Sequence, residues 1–350
     1  MLDFSADLRR SINEYFKENS LAKNATAYYY VKAAVMALLL WGPFAALVFF
    51  DLSPFLYLLM WVIMGFGMSG VGMNVMHDAN HGSVSKKQWV NRFFGSSMYL
   101  LSGNVFNWKV QHNVLHHTYT NLYGKDEDLD ASGLLRLHPN EPMKKMHKYQ
   151  VYYAPLLYSL LTLNWVLLKD WKQLARYTKN GLTKQMQSTF SKELIVLLLS
   201  KIAYFFVFIA TPLLAGYGVG LTILGFVIMH ALAGFILSLI FQMAHVVDEV
   251  QHPLDSSINP STQFAKHQLA TTSNFATRSR LVTFFTGGLN FQVEHHLFPL
   301  ISHVHYPKIS KIVKEVAARH GLPYYEHKTF MEAVRSHILY LRTVGKMQTA

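Results

Sequence analysis

Three short stretches place histidines where their imidazoles can act together: HDANH (77–81), HNVLHH (112–117) and QVEHH (292–296). Residues four apart share a helix face, so His77 with His81, and His112 with His116, can each aim two rings at one point. His117, His295 and His296 extend the set, and His245, in FQMAH, is an eighth candidate. A single HxxxH carries no weight in a chain with 18 histidines in 350 residues, but HxxxH, HxxxHH and a further HH pair together do. One zinc takes four ligands, or three and a water, so this many imidazoles exceed its needs. Imidazole also suits iron, and seven or eight rings are enough for a dinuclear site with positions left open for oxygen.

The elements that must carry these residues are largely apolar. Hydrophobic residues make up 51% of the chain and the mean hydropathy is +0.16. Four runs, 27–50, 54–76, 193–215 and 219–244, are each long enough to cross a hydrocarbon core, which takes about 20 helical residues. The first two are joined by DLS and the last two by GYGV, which predicts two hairpins. Of the 32 lysines and arginines, all but Lys32 and Lys201 lie outside the four runs, and neither short connection holds one. By the excess of positive charge on cytoplasmic segments, both termini and the stretches 77–192 and 245–350 are expected in the cytoplasm. The expected fold is an all-α integral membrane protein, a single domain over 1–350. Its four transmembrane helices carry a cytoplasmic helical cap that holds the histidine site. All three boxes then fall on one membrane face.

Within the cap, 93–106 and 151–168 are apolar islands read as interfacial or re-entrant helices. The pattern PKISKIVKEVAARHGL predicts an amphipathic helix stopped near Gly321. The net charge of +12 is read as contact with the lipid bilayer's anionic headgroups, with no nucleic acid expected. The polar first 26 residues show no removable signal peptide. With no cysteine, disulfides, zinc-thiolate sites and cysteine-bound clusters are excluded. His230 lies fifteen residues, about 22 Å, before His245 on one helix and cannot share its metal. It is either a functional intramembrane group or an interhelical hydrogen-bond partner.

HDANH, HNVLHH and QVEHH, in this order and with these apolar runs, resemble the three histidine boxes of the integral-membrane fatty acid desaturases, from the first span to about residue 310. GGLNFQVEHHLFP (287–299), with QLATTSNF (268–275) before it, is similar to the front-end subgroup, which inserts a double bond between an existing one and the carboxyl end. Glutamine typically opens the last box there, so Gln292 fits the pattern. Its amide oxygen can ligate weakly, or its NH₂ can hydrogen-bond to a metal-bound water or oxygen species. The resemblance implies that His77, His81, His112, His116, His117, His295 and His296 are catalytic ligands of two non-haem iron ions, with O₂ as co-substrate. His245 sits where related enzymes have an additional ligand. Many front-end enzymes carry a fused cytochrome b5 domain with an HPGG motif, which does not occur here. A separate electron donor, ferredoxin or cytochrome b5, is therefore expected, as is a bacterial inner membrane, or the endoplasmic reticulum in a eukaryote. Lys144, Lys145 and Lys148 either steer such an acidic carrier or face headgroups.

The implied reaction is O₂-dependent insertion of a cis double bond into an acyl chain carried on a lipid or on CoA, since no acid or base side chain removes hydrogen from an unactivated methylene. Asp78 and Glu294 are read as partners that hold imidazole N–H groups. Asp126, Glu127 and Asp128 are read as the same or as a solvated acidic loop. Trp108, Tyr119 and Phe291 either line the acyl channel or pack the core. The alternatives are a lipid hydroxylase of the same superfamily, a membrane zinc-dependent lipid hydrolase and a metal transporter.

Overall fold

The structure, a computed structural model, describes residues 3–253 and 260–347, with side chains described for all of these except 260–262. It is mostly helical. An amphipathic helix α1 (Phe4–Glu18) precedes two long apolar helices, α2 (Ala27–Phe49) and α3 (Pro54–His81). Pro54 starts α3 where its missing N–H is no loss, and the Ser53 hydroxyl accepts from Leu56 N. Next come α4 (Gln88–Gly95), a compact helical stretch α5 (105–119), and a pair bent by 56°, α6 (Lys145–Ser159) and α7 (Leu161–Lys179). Two further apolar helices are α8 (Phe190–Leu214) and α9 (Val219–His245). The remainder consists of α10 (Pro260–Thr271), β1 (Ser273–Phe275), α11 (Arg280–Phe285), α12 (Gln292–Leu297), α13 (Tyr306–Arg319), β2 (Tyr325–His327) and α14 (Phe330–Val344).

Among the described residues four helices, α2, α3, α8 and α9, are long and apolar enough to cross a membrane, and the bent pair is either a fifth, broken span or a re-entrant loop. Leu199, Ile202 and Phe206 on α8 and Leu38 on α2 are more than half exposed, a surface that suits hydrocarbon. The second long apolar helix runs past the expected residue 76 to His81, so the first histidine box lies on that helix itself. The expected all-α fold is relieved by one parallel pairing, in which Ser273, Asn274 and Phe275 of β1 meet Tyr325, Glu326 and His327 of β2. The amphipathic helix expected near 307 is α13, and its Ile309, Val313 and Val316 pack against Phe4, Leu8 and Ile12 of α1.

α3 lies between α2 and α9. Its small residues permit the approach: a Cβ on Gly67 would come within 2.5 Å of Leu40 N, and one on Gly65 within 3.0 Å of the Met229 carbonyl. A buried ion pair joins the bundle to the loop before α5. Lys201 Nζ of α8 lies 2.8 Å from the Asp170 carboxylate of α7, which also accepts from Asn104 N at 3.1 Å. His230 lies between Tyr204 and Thr162, with Nε2 2.8 Å from the tyrosine hydroxyl and Nδ1 2.9 Å from the threonine hydroxyl. Of its two readings, that of interhelical partner matches the geometry.

Downstream, the turn at Gly287–Gly288 presses against α3. Gly287 has φ +63°, and a Cβ there would meet the Met73 carbonyl at 2.2 Å, while Asn74 of α3 donates to Phe285 O at 2.9 Å. Gly181 has a similar φ, +77°, with open space around it. Gly181→Ala should therefore cost only the left-handed backbone penalty, about 1–2 kcal/mol. Gly287→Ala should cost distinctly more, because backbone must move. Thermal unfolding in detergent checks this, and equal losses of midpoint would contradict the close packing.

Candidate metal centre

Each box sits where a helix changes pitch or ends. In α3 the backbone widens into a π-type turn over Gly72–Met76, returns to α-helical pitch over His77–His81 and is closed by Gly82 at φ +81°. The second box lies in α5, which the Asn104 side chain caps by accepting from Asn107 N. Its residues Lys109–His116 form a longer π-type stretch, and such insertions recur at functional sites. The third box is α12, and His245 is the last residue of α9.

Eight histidines from these four segments converge. His77, His81, His112 and His295 form one group and His116, His245 and His296 another, and in each group the ligand atoms lie within 4.8 Å of one another. His117 groups with His295 and His296, and so stands between the two sets. His77 Nε2 lies 3.2 Å from His112 Nε2, and His117 Nε2 lies 3.0 Å from His295 Nε2. Two imidazoles on one ion at about 2.1 Å, at right angles, stand about 3 Å apart.

The surroundings decide which nitrogen of each ring points inward. His116 Nδ1 donates to Asp126 at 3.0 Å, His296 Nδ1 donates to Gln268 Oε1 at 2.8 Å, and His245 Nδ1 faces the Thr271 carbonyl at 3.4 Å. All three therefore present Nε2, the arrangement that orients metal-bound histidines in general. His295 Nδ1 meets the Tyr306 hydroxyl at 3.2 Å, and His112 Nδ1 lies 3.5 Å from Asp128. Asn121, at φ +58°, donates to the His245, Gln251 and Thr271 carbonyls, joining the end of α9 to α10.

Six ring nitrogens here, His77 Nδ1, His81 Nε2, His116 Nε2, His117 Nδ1, His245 Nε2 and His296 Nε2, are buried without a hydrogen-bond partner. Each such group costs about 1–3 kcal/mol if left unpaired. Cations held at Nε2 of His81, His116, His245 and His296 would satisfy four of these six, and the residues fit that role. Burial, reinforced by neighbouring imidazoles, holds His117, His295 and His296 well below the usual histidine range, and burial lowers His112 despite Asp128. Neutral imidazole is the form that ligates metal. His116 differs: burial works against its charged form, yet Asp126 raises it.

Several expectations need correction. The acidic run is not a solvated loop: Asp126 is buried on His116, and Asp128 is held by Gln111 and the second box. Glu294 holds no imidazole. It accepts from Asn274 at 2.8 Å and Tyr324 at 2.9 Å, and burial pushes it up to about 8 against those bonds. Asp78 does hold an imidazole, but that of His303, outside the boxes. Trp108 stacks on His112 at 4.5 Å, Phe291 packs with the α1–α13 core, and Tyr119 lies under Lys125. Gln292 is buried one turn before His296, and no hydrogen bond among the described residues ties its amide to the histidines. Gln268 and Tyr306 were missed. QLATTSNF was a visible pattern, but nothing local in it shows that its glutamine faces His296.

Four helices long and apolar enough to cross a membrane, and eight imidazoles gathered into adjoining groups that could hold metal ions, mark the class of protein. The fatty acid desaturase family profile matches residues 52–328, and the chain belongs to that family. It is 30% identical to the sn-1 linoleoyl-lipid 6-desaturase of Arthrospira platensis over 98% of this chain and 93% of that one. The acyl-lipid (8-3)-desaturase of Physcomitrium patens is 34% identical over 98% of this chain and 72% of its own length. The sn-1 linoleoyl-lipid 6-desaturase of Synechocystis is 30% identical, covering 98% and 96%. The chain is thus a desaturase enzyme, similar throughout its length to front-end acyl-lipid desaturases.

Asp126→Asn should leave His116 without its carboxylate and lower bound metal about 10- to 100-fold in affinity or activity. Metal per polypeptide, measured by elemental mass spectrometry against a chelator series, checks this. An unchanged titration would remove Asp126 from the centre's support.

Proposed function

We propose that the chain is an O₂-dependent front-end desaturase in which His77, His81, His112, His116, His117, His245, His295 and His296 hold two iron ions. The observation that carries the reading is the convergence of two imidazole groups, with His117, His295 and His296 at their junction. Bound there with O₂ and two electrons, the irons would supply an oxidant able to take two hydrogens from adjacent methylenes, leaving a cis double bond and, with two protons, two waters.

The protein's part is position and exclusion of water. Asp126, Gln268 and the Thr271 carbonyl fix the rings of His116, His296 and His245, and Trp108 backs His112. Gln292 opens the third box as a weak ligand or as a hydrogen-bond donor toward the centre. The topology that accords with the charge distribution has α2–α3 and α8–α9 as two hairpins, with both termini and the cap on the cytoplasmic side. The words acyl-lipid and linoleoyl-lipid in the relatives' names favour a chain esterified to a membrane lipid over acyl-CoA. Electrons would come from a separate ferredoxin or cytochrome b5. Membership of the desaturase family removes the ground for a zinc hydrolase. Hydroxylation is the other product the same analysis would detect.

The test is fatty acid analysis by gas chromatography and mass spectrometry, in a host expressing the chain with an electron donor and fed mono- and di-unsaturated precursors. A new double bond on the carboxyl side of an existing one is expected. His296→Ala should reach the membrane but give no product above background. Normal turnover by His296→Ala would contradict the assignment.

A further inference from the structure

Lys32 is the one charged residue in α2 and is fully buried. A cation in an apolar span is costly unless it is paired, and none of the histidine ligands needs it. Its ammonium lies 2.9 Å from His303 Nε2 and 3.4 Å from the Thr283 carbonyl, and it faces the rings of Tyr28 and Phe284 at 5.6 and 5.4 Å. On the far side of the same imidazole, His303 Nδ1 lies 2.9 Å from Asp78 Oδ2. That oxygen also accepts from Ser302 Oγ at 2.8 Å and His303 N at 3.0 Å.

The roles follow from the donors and acceptors. A carboxylate requires Nδ1 of His303 to carry the proton, which leaves the Nε2 lone pair to accept from Lys32. The result is a directed chain from ammonium through neutral imidazole to carboxylate, all three groups being buried. Both ring nitrogens of His303 are engaged, so it is not a ligand. Asp78, however, is next to His77, and Ser302 and His303 follow His296 by six and seven positions. The Gly287–Gly288 turn closes over the imidazole: a Cβ on Gly288 would lie 2.8 Å from that of His303.

We infer that Lys32, His303 and Asp78 are positioning residues that lock the first histidine box against the segment after the third. They thereby set the spacing of the rings that His77, His81 and His295 present to one metal. The inference rests on the metal-centre reading above. Side-chain partners behind metal ligands typically change affinity or activity by 10- to 100-fold when removed. A chain of this reach, tying the first span to both boxes, belongs in that range.

The test compares iron per folded polypeptide, thermal midpoint and product position in wild type, Lys32→Met, His303→Leu, His303→Gln and His303→Asn. Glutamine keeps one donor and one acceptor at nearly the reach of the imidazole. Asparagine has the same groups one methylene short and cannot bridge. Lys32→Met, His303→Leu and His303→Asn should lose about tenfold in iron affinity, read by chelator competition, while His303→Gln should regain most of it. If the two apolar variants fail to fold, the Gln and Asn comparison decides alone. Equal iron affinity in His303→Gln and His303→Asn, with the wild type loaded, would overturn the inference and leave the chain a purely structural ion pair. A wild type that binds no iron would instead overturn the metal assignment on which it rests.

Discussion

The structure depends on keeping eight imidazoles buried and aimed inward, in a chain whose four contributing segments are far apart in sequence. Unpaired ring nitrogens at such density are unfavourable, and cations in their midst would turn that cost into binding energy. Protonation would give the opposite result, a cluster of like charges without solvent. The surrounding groups accordingly engage the outer nitrogen of several rings: Asp126 on His116, Gln268 on His296 and the Thr271 carbonyl on His245.

The long apolar helices supply the rigidity this requires. α3 carries the first box on its own last turns, so its packing against α2 and α9 is also packing of the site. The wide turns before His77 and through His112–His116 shift the helical phase at the point of use. Adjacent histidines thus serve different groups: His116 faces His245, while His117 lies among His295 and His296. The same logic explains the buried polar links: Lys201 to Asp170, which also holds the stretch before the second box, and Lys32 through His303 to Asp78 within the first box.

Much of this was legible in the sequence because it rests on local pattern. The four apolar runs overlie the four long helices, and the histidine boxes with His245 account for the eight rings the fold gathers. Identity of neighbours across the fold was not legible. Glu294, adjacent to His295, turns away to Asn274 and Tyr324, because a helix spreads consecutive side chains over different faces. Asp126 and Asp128 looked like a solvated run, and only the loop's return onto α5 buries them. The Lys32 to His303 contact spans 271 positions, and a lone lysine near the start of an apolar run looks like an interfacial anchor.

The most direct test of the central claim is anomalous X-ray scattering from crystals of the purified, iron-loaded enzyme, recorded on both sides of the iron absorption edge. Two iron peaks are expected, one among His77, His81, His112 and His295 and the other among His116, His245 and His296. A single peak, or density that follows the zinc edge, would contradict a di-iron centre.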